Sequence, residues 1–454
     1  ERMKQGLASY LPFLTWAKHY DRTAAAKDGL AALIVTLMLI PQSLAYALVA
    51  GVPAQMGLYA SILPLLAYAL FGSSRTLAVG PVAVVSLMTA AAAGQVAGGD
   101  SGAYLAATVI LALLSGVFLV AMGLLRLGWI ANLLSHSVIS GFITASGLLI
   151  AASQLKHLLG IPMQGDTLWE LGLSASREAA GVNGATLLLG AAALLFLLWA
   201  RGPLKRLLAR TPLPPMLADL LAKAGPVLAV IGTTVAVAAG DLQSQGVAVV
   251  GAIPGGLPAL SLPAFDAGVW GQLALPALLI SLIGFVESVS VAQTLAAKRR
   301  QRIDSNAELI GLGAANLASG VSGGFPVTGG FSRSVVNFDA GARSPMAGVF
   351  TAGGIALTAL FFTPWFYYLP KATLAATIIV AVLTLVDLGA LRRAWRYSKA
   401  DFTAMLVTLA GVLLAGVEIG VIAGVGAALA LHLWRTSQPH MAELGQMPGT
   451  EHFR

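Results

Sequence analysis

Twelve apolar runs of roughly 20 residues, parted by short loops, constrain this chain more than any other feature, because a run of that length is long enough to cross a bilayer as a helix. They lie at 28–49, 54–71, 104–124, 129–155, 184–200, 214–239, 272–296, 305–322, 346–363, 370–387, 400–416 and 418–435. Only 10% of the 454 residues are charged, against roughly 25% in a soluble domain. The chain therefore reads as an all-α polytopic membrane protein. The absence of cysteine excludes disulfide frameworks, thiolate nucleophiles and cysteine-ligated zinc. A net charge of +8 does not point to nucleic acid, because the basic residues sit in short clusters between apolar runs.

Two further stretches, 79–93 and 329–340, are helical in character but too short to span. Each follows residues that favour extended structure, Arg75 to Val79 and Phe325 to Thr328. They are expected to be half-helices, bringing the count to fourteen elements. With the N-terminus inside, 22 of the 27 lysines and arginines fall on the cytoplasmic side, and the outer loops hold only Lys156, Arg177 and Lys371. That asymmetry is the one the positive-inside rule requires. The half-helices are about 250 residues apart and each is third in a seven-element half. Two odd-numbered halves in series must face opposite ways, so a 7+7 inverted repeat is expected.

No Gly-Lys dipeptide occurs, so no Walker A loop is present, and no HExxH motif occurs either. No cofactor, resident metal or enzymatic activity is expected. Three segments carry the chemistry. Pro41, Gln42 and Ser43, followed by Tyr46, interrupt the first apolar run near mid-depth, either lining a cavity or bonding neighbouring helices. Gly80, Pro81 and Val82 open the first half-helix; Gly329, Gly330, Phe331, Ser332 and Arg333 open the second. A half-helix start presents free N–H groups and about half a positive charge, so two facing starts form an anion site. Arg333 fixes the sign of the ligand: a lone arginine at this depth faces either a bound anion or a counter-charge, for which Glu287 is the candidate. Gln42, Tyr46 and Phe331 either complete a partly apolar pocket or pack.

The runs PQSLAYALVAGVPAQMGLYASILP (41–64), SRTLAVGPVAVVSLM (74–88), SVISGF (137–142), GFVESVSVA (284–292), GGFPVTGGFSRSVVN (323–337) and LPKATLAATIIVAV (369–382) resemble the SulP anion permeases, the solute carrier 26 group. The similarity covers nearly the whole chain. It implies a cytoplasmic segment over 1–27 and a core domain of elements one to four (28–126) and eight to eleven (267–366). The gate domain would then be elements five to seven (127–266) and twelve to fourteen (367–436), with a cytoplasmic tail over 437–454. It further implies substrate contacts from Gln42, Tyr46, Val82, Ser332 and Arg333, with Glu287 beside them, and often a homodimer. Family members usually continue into a cytoplasmic STAS domain, which 437–454 is too short to hold.

The expected activity is secondary anion transport by alternating access in a bacterial cytoplasmic (inner) membrane, with both termini cytoplasmic. The partners would be a small anion, a coupling ion and membrane lipid, with no nucleic acid. Two half-helix starts plus Arg333 supply roughly +2, which matches a dianion. An ionised Glu287 reduces this to about +1 and a protonated one restores it. That favours proton ahead of sodium as the coupling ion, with a dicarboxylate such as fumarate as substrate. Sodium-coupled bicarbonate or sulfate transport, and an anion channel, are the alternatives.

Overall fold

The computed structural model describes residues 11–132, 136–208 and 210–437. Helix α1, Arg22–Val49, starts on Asp21, whose side chain accepts from the Ala24 N–H at 2.7 Å. It runs unbroken through Pro41, so the interruption expected there is absent. Proline removes one intrahelical hydrogen bond, and Leu39, Gln42 and Ser43 around it are buried, with the Ser43 hydroxyl 2.7 Å from that of Ser61. The second span breaks instead. Helix α2, Ala54–Tyr59, ends in a turn and α3, Leu63–Phe71, restarts with Pro64 in its first turn, where a missing N–H costs nothing.

Strand β1, Val79–Gly80, leads into α4, Ala83–Ala97, and then α5, Ser101–Leu124. A 3-10 segment over Leu127–Asn132 precedes α6, His136–Leu159, so the fifth element starts later than its apolar run. The surface helix α7, Leu168–Glu178, opens with a Thr167–Glu170 capping box. It is followed by α8, Gly184–Trp199, α9, Pro215–Lys223, and α10, Gly225–Ala239. The second half holds α11, Ala267–Lys298, α12, Ser305–Val321, β2, Thr328–Gly329, and α13, Phe331–Asp339. Helices α14, Met346–Leu357, α15, Lys371–Leu383, α16, Leu388–Tyr397, α17, Lys399–Ala415, and α18, Val417–Ser437, complete it. Among the described residues nine helical segments are long and apolar enough to cross a membrane. Helices α4 and α13, of 15 and 9 residues, reach only roughly 22 and 14 Å against the ~30 Å of a hydrocarbon core.

The helices pack in two groups. In one, α5 lies along α11 and α12, α3 packs on α12, and α14 packs on α1 and α3. The α5–α12 crossing needs glycine on both sides: a Cβ on Gly116 would come within 2.7 Å of the Leu317 nitrogen, and one on Gly313 within 2.8 Å of the Val120 nitrogen. In the other, α6 packs on α15 and α17, α8 on α15, and α17 on α18. The groups meet where α15 packs on α1 and where α4 packs on α6.

Two buried carboxylates, which sequence reading did not single out, pin the turns flanking the half-helices. Glu308 on α12 accepts from Tyr68 Oη at 2.8 Å, from the Ser73 N–H at 2.8 Å and hydroxyl at 2.7 Å, and from the Ser74 N–H at 2.9 Å. Asp28 on α1 accepts from the Arg343 N–H at 2.6 Å and from the Ser344 hydroxyl at 2.5 Å. Each ties a helix from one half of the sequence to a turn from the other. Replacing Glu308 with alanine leaves several donors without an acceptor, each costing about 1–3 kcal/mol when buried. Glu308→Ala is therefore expected to lower the thermal unfolding midpoint in detergent by many degrees. An unchanged midpoint would show that the turn at 73–74 is held by other means.

Candidate functional site

The segments before the two half-helices are extended because Gly-Pro and Thr-Gly-Gly sequences resist helix. They pair antiparallel, Val79 with Gly329 and Gly80 with Thr328. The Gly330 N–H donates to the Ala78 carbonyl at 3.0 Å. Polar side chains buried around this crossing hold it. Ser288 Oγ accepts from the Gly329 N–H at 2.8 Å, Thr328 Oγ1 donates to the Gly284 carbonyl at 2.7 Å, and Ser334 Oγ accepts from the Ala78 N–H at 2.9 Å. The Asn316 amide spans Val327, donating to its carbonyl at 2.8 Å and accepting from its N–H at 3.0 Å. Ser288 and Thr328 stand inside the family-like runs, but nothing local in the sequence marks them as a pair.

Helices α4 and α13 both start at this crossing, each following one of the two antiparallel strands. Most helices that leave polar loops begin on side-chain caps, among them Asp100, Asn183, Asp266, Asp304 and Ser398. The half-helices begin on Val82 and Gly330, which supply none. Their first N–H groups therefore keep the partial positive charge of a helix start.

A cleft of about 40 Å³ lies at these starts. Gln42 and Tyr46 of α1, Val82, Glu287 of α11, and the run Gly330 to Arg333 all line it. Gly80 does not line it. Its φ of +156° favours glycine, and a Cβ there would stand 3.3 Å from Arg333 Nη2. Gly80 thus makes room behind the guanidinium. The opposite wall comes from Ala381, Val382, Thr384 and Leu385, at the end of α15 and just beyond it, which sequence reading did not assign to the site.

Arg333 is 2% exposed and Glu287 8%. They do not form the ion pair that the structural alternative required. Arg333 Nη1 donates to the Pro81 carbonyl at 2.7 Å, while Nε and Nη2 have no partner, and neither has Glu287 Oε2. The cleft thus holds a guanidinium aimed by a single backbone bond, with donors to spare, next to a carboxyl group with an acceptor to spare. Phe331 and Ser332 are exposed at the mouth. These groups suit a small oxyanion, which two helix starts and a guanidinium would attract. Val82→Glu would put a carboxylate among the α4 N–H groups and against the incoming anion. Anion binding to the purified protein should fall at least tenfold, and retained binding would mean that Val82 faces packed protein.

The sulfate permease family model matches residues 26–408. The chain belongs to this family. It is 38% identical to the chloroplastic sulfate transporter 4.1 of Arabidopsis thaliana, over all of the chain and 65% of that protein. It is 35% identical to a probable sulfate transporter of Mycobacterium tuberculosis, over 97% of the chain and 76% of that protein. The chain thus spans just under two thirds of the length of the Arabidopsis relative. Among solved structures, murine solute carrier 26 member A9, an anion transporter seen in the inward-facing state, superposes with a TM-score of 0.90 at 26% identity, over 99% of the chain and 75% of the murine chain. The transmembrane domain of a cyanobacterial bicarbonate transporter shares the fold, with a TM-score of 0.74 at 23% identity over 90% of the chain and 98% of that domain. The resemblance read from the sequence motifs is thereby confirmed at the level of family and fold.

Proposed function

We propose that the chain is a secondary anion transporter whose substrate is a compact dianion, held between the starts of α4 and α13 and gripped by Arg333. The observation that carries this reading is the buried guanidinium with two unpartnered nitrogens beside two uncapped helix starts. Together they supply roughly +2. Sulfate is the leading substrate, in keeping with the names of the relatives. A four-carbon dicarboxylate such as fumarate is the second reading. It is favoured by the larger cavity that adjoins the cleft through Gln42, Ser332 and Ala381 and gives a longer anion room.

In this proposal α1 to α5 with α11 to α14 form a core domain that carries the anion. Helices α6, α8 to α10, α15, α17 and α18 form a gate domain. Residues 381–385 form the surface past which the site moves, so a shift of the core by several Å exchanges one aqueous exit for the other. Glu287 couples the cycle to protons: protonated, it leaves the cleft near +2, and ionised, near +1. The basic clusters support a cytoplasmic-membrane protein with both termini inside, and a homodimer fits the resemblance. The test is uptake of labelled sulfate, fumarate, bicarbonate and chloride into proteoliposomes under imposed proton or sodium gradients. Saturable, proton-driven uptake of a dianion is expected. Uptake of bicarbonate driven by sodium would replace the substrate and coupling ion, and no saturable uptake of any of the four would overturn the transporter reading.

A further inference from the structure

Two crossover segments run side by side: 240–266, which leaves α10 and enters α11, and 358–370, which leaves α14 and enters α15. Val249 and Pro370 pair antiparallel. The Val250 N–H donates to the Leu369 carbonyl at 2.8 Å, the Gly251 N–H to the Tyr367 carbonyl at 3.1 Å, and the Lys371 N–H to the Ala248 carbonyl at 2.9 Å. Val247 and Leu369 are buried in this short ribbon. Its attachments up to Gly251 are to gate helices: Lys371 opens α15, and Asn183, which caps α8, donates from Nδ2 to the Gln245 carbonyl at 2.9 Å. From Gly256 onward the same segment holds to core helices. The Gly256 N–H donates to the carbonyl of Ala359, just after α14, at 3.0 Å, and the Ser261 N–H to that of Val321, the last residue of α12, at 2.9 Å. Between these two sets of bonds, 252–255 make no hydrogen bond with the described residues. The stretch is bounded by two glycines of positive φ, Gly251 at +80° and Gly256 at +131°. A Cβ on either would meet nothing within 4 Å, so a side chain there would strain the backbone alone. Ile253, between them, is buried.

We propose that the ribbon moves with the gate domain and that residues 251–256 are the hinge on which the core domain swings, with Ile253 seated as its pivot; the inference rests on the alternating-access reading above. Hinges are a few loop residues that absorb a change in φ and ψ while the bodies on either side stay rigid. Glycine absorbs such a change through positive φ without cost. A residue with a side chain at 251 or 256 strains the arrangement seen here and is relieved in any arrangement of negative φ, so it biases the cycle away from this facing. Pairing the two crossovers gives both the same path: one ribbon turns as a unit where two separate linkers would each have to be drawn out.

The chain contains no cysteine, so one introduced thiol reports the facing of the site. Ser332→Cys stands at the mouth of the cleft, and a membrane-impermeant maleimide applied to intact cells or to inverted vesicles reads from which side it is reached. Labelling from both sides is expected in the otherwise unchanged chain. Adding Gly251→Ala with Gly256→Ala should shift the ratio of the two labelling rates about tenfold. The same two alanines without the reporter should lower uptake of labelled sulfate into proteoliposomes by a similar factor, with only a modest fall in the thermal midpoint. Gly251→Asn, which tolerates positive φ, should retain uptake and so separates backbone freedom from side-chain bulk. Within the ribbon, Val249→Cys with Pro370→Cys sets two thiols on paired residues. Their oxidation to a disulfide should leave uptake within about twofold of the reduced protein, because the ribbon turns as one body. A wild-type labelling ratio and uptake in the double alanine variant would overturn the hinge. So would lost uptake with a collapsed midpoint and an unchanged labelling ratio, or a disulfide that stops uptake until it is reduced, since the crossovers would then have to slide apart. Labelling from one side only in the otherwise unchanged chain would overturn the alternating-access reading, and the hinge with it.

Discussion

Arg333→Ala is expected to cut anion uptake by at least about a hundredfold while the protein still inserts and folds. The guanidinium is the one full positive charge lining the central cleft among the described residues. Its Nε and Nη2 are the donors available to an anion there, and Nη1 is committed to Pro81. Hydrogen bonds to charged groups contribute about 1.5–3 kcal/mol each, and two of them account for a hundredfold or more in affinity. The fold loses only the Pro81 bond, so the thermal midpoint should fall modestly. Arg333→Lys sharpens the test. An ammonium on a flexible stem is a point charge and does not reproduce the planar fork that serves Pro81 and the anion at once. Uptake by the lysine variant should lie between wild type and alanine. Uptake and affinity near wild type in a folded Arg333→Ala would sink the central-site assignment.

The parts of this site that were legible in the sequence are those that one-dimensional patterns carry. Two apolar runs too short to span, each preceded by glycine-rich extended residues, located α4 and α13. An arginine inside an apolar stretch named the charge, and the motif runs named the family. What was not legible depends on contacts across 41 to 316 residues of chain. Ser288 holds the backbone at Gly329, Glu308 gathers Tyr68 and Ser73, and Asp28 gathers Arg343 and Ser344. None of these partners can be found until the helices are packed, because hydropathy reports depth and not azimuth. The expected break at Pro41 failed for a related reason: proline reads as an interruption in isolation, yet packing on both sides carries α1 through it. The α15 wall at 381–385 was missed because it is a plain apolar run with no chemistry of its own to announce it.

The lack of an Arg333–Glu287 ion pair shapes the second large effect. Were Glu287 simply the neutralising partner of Arg333, Glu287→Gln would strand a buried charge and cost several kcal/mol of stability. Since Arg333 is held by Pro81 instead, the glutamine variant is expected to fold with a near-normal thermal midpoint. Its functional defect should be selective. When Glu287 takes up a proton, a negative charge leaves the cleft and the anion is held more tightly. By linkage, a bound anion promotes protonation by the same factor. Wild-type affinity for the anion should therefore rise as pH falls. Glutamine imitates the protonated acid at every pH, so Glu287→Gln should bind the anion well and lose this pH dependence. It should also support counterflow, in which labelled anion exchanges for unlabelled, because exchange needs the site to move loaded in both directions and requires no net proton movement. Accumulation driven by an inward proton gradient should be lost, since no group in the cleft then carries the proton back and forth. Intact counterflow beside lost accumulation is the expected pair of results. Wild-type proton-driven accumulation in Glu287→Gln would remove Glu287 from the coupling step, and failure in both assays together with a collapsed thermal midpoint would return it to a structural role.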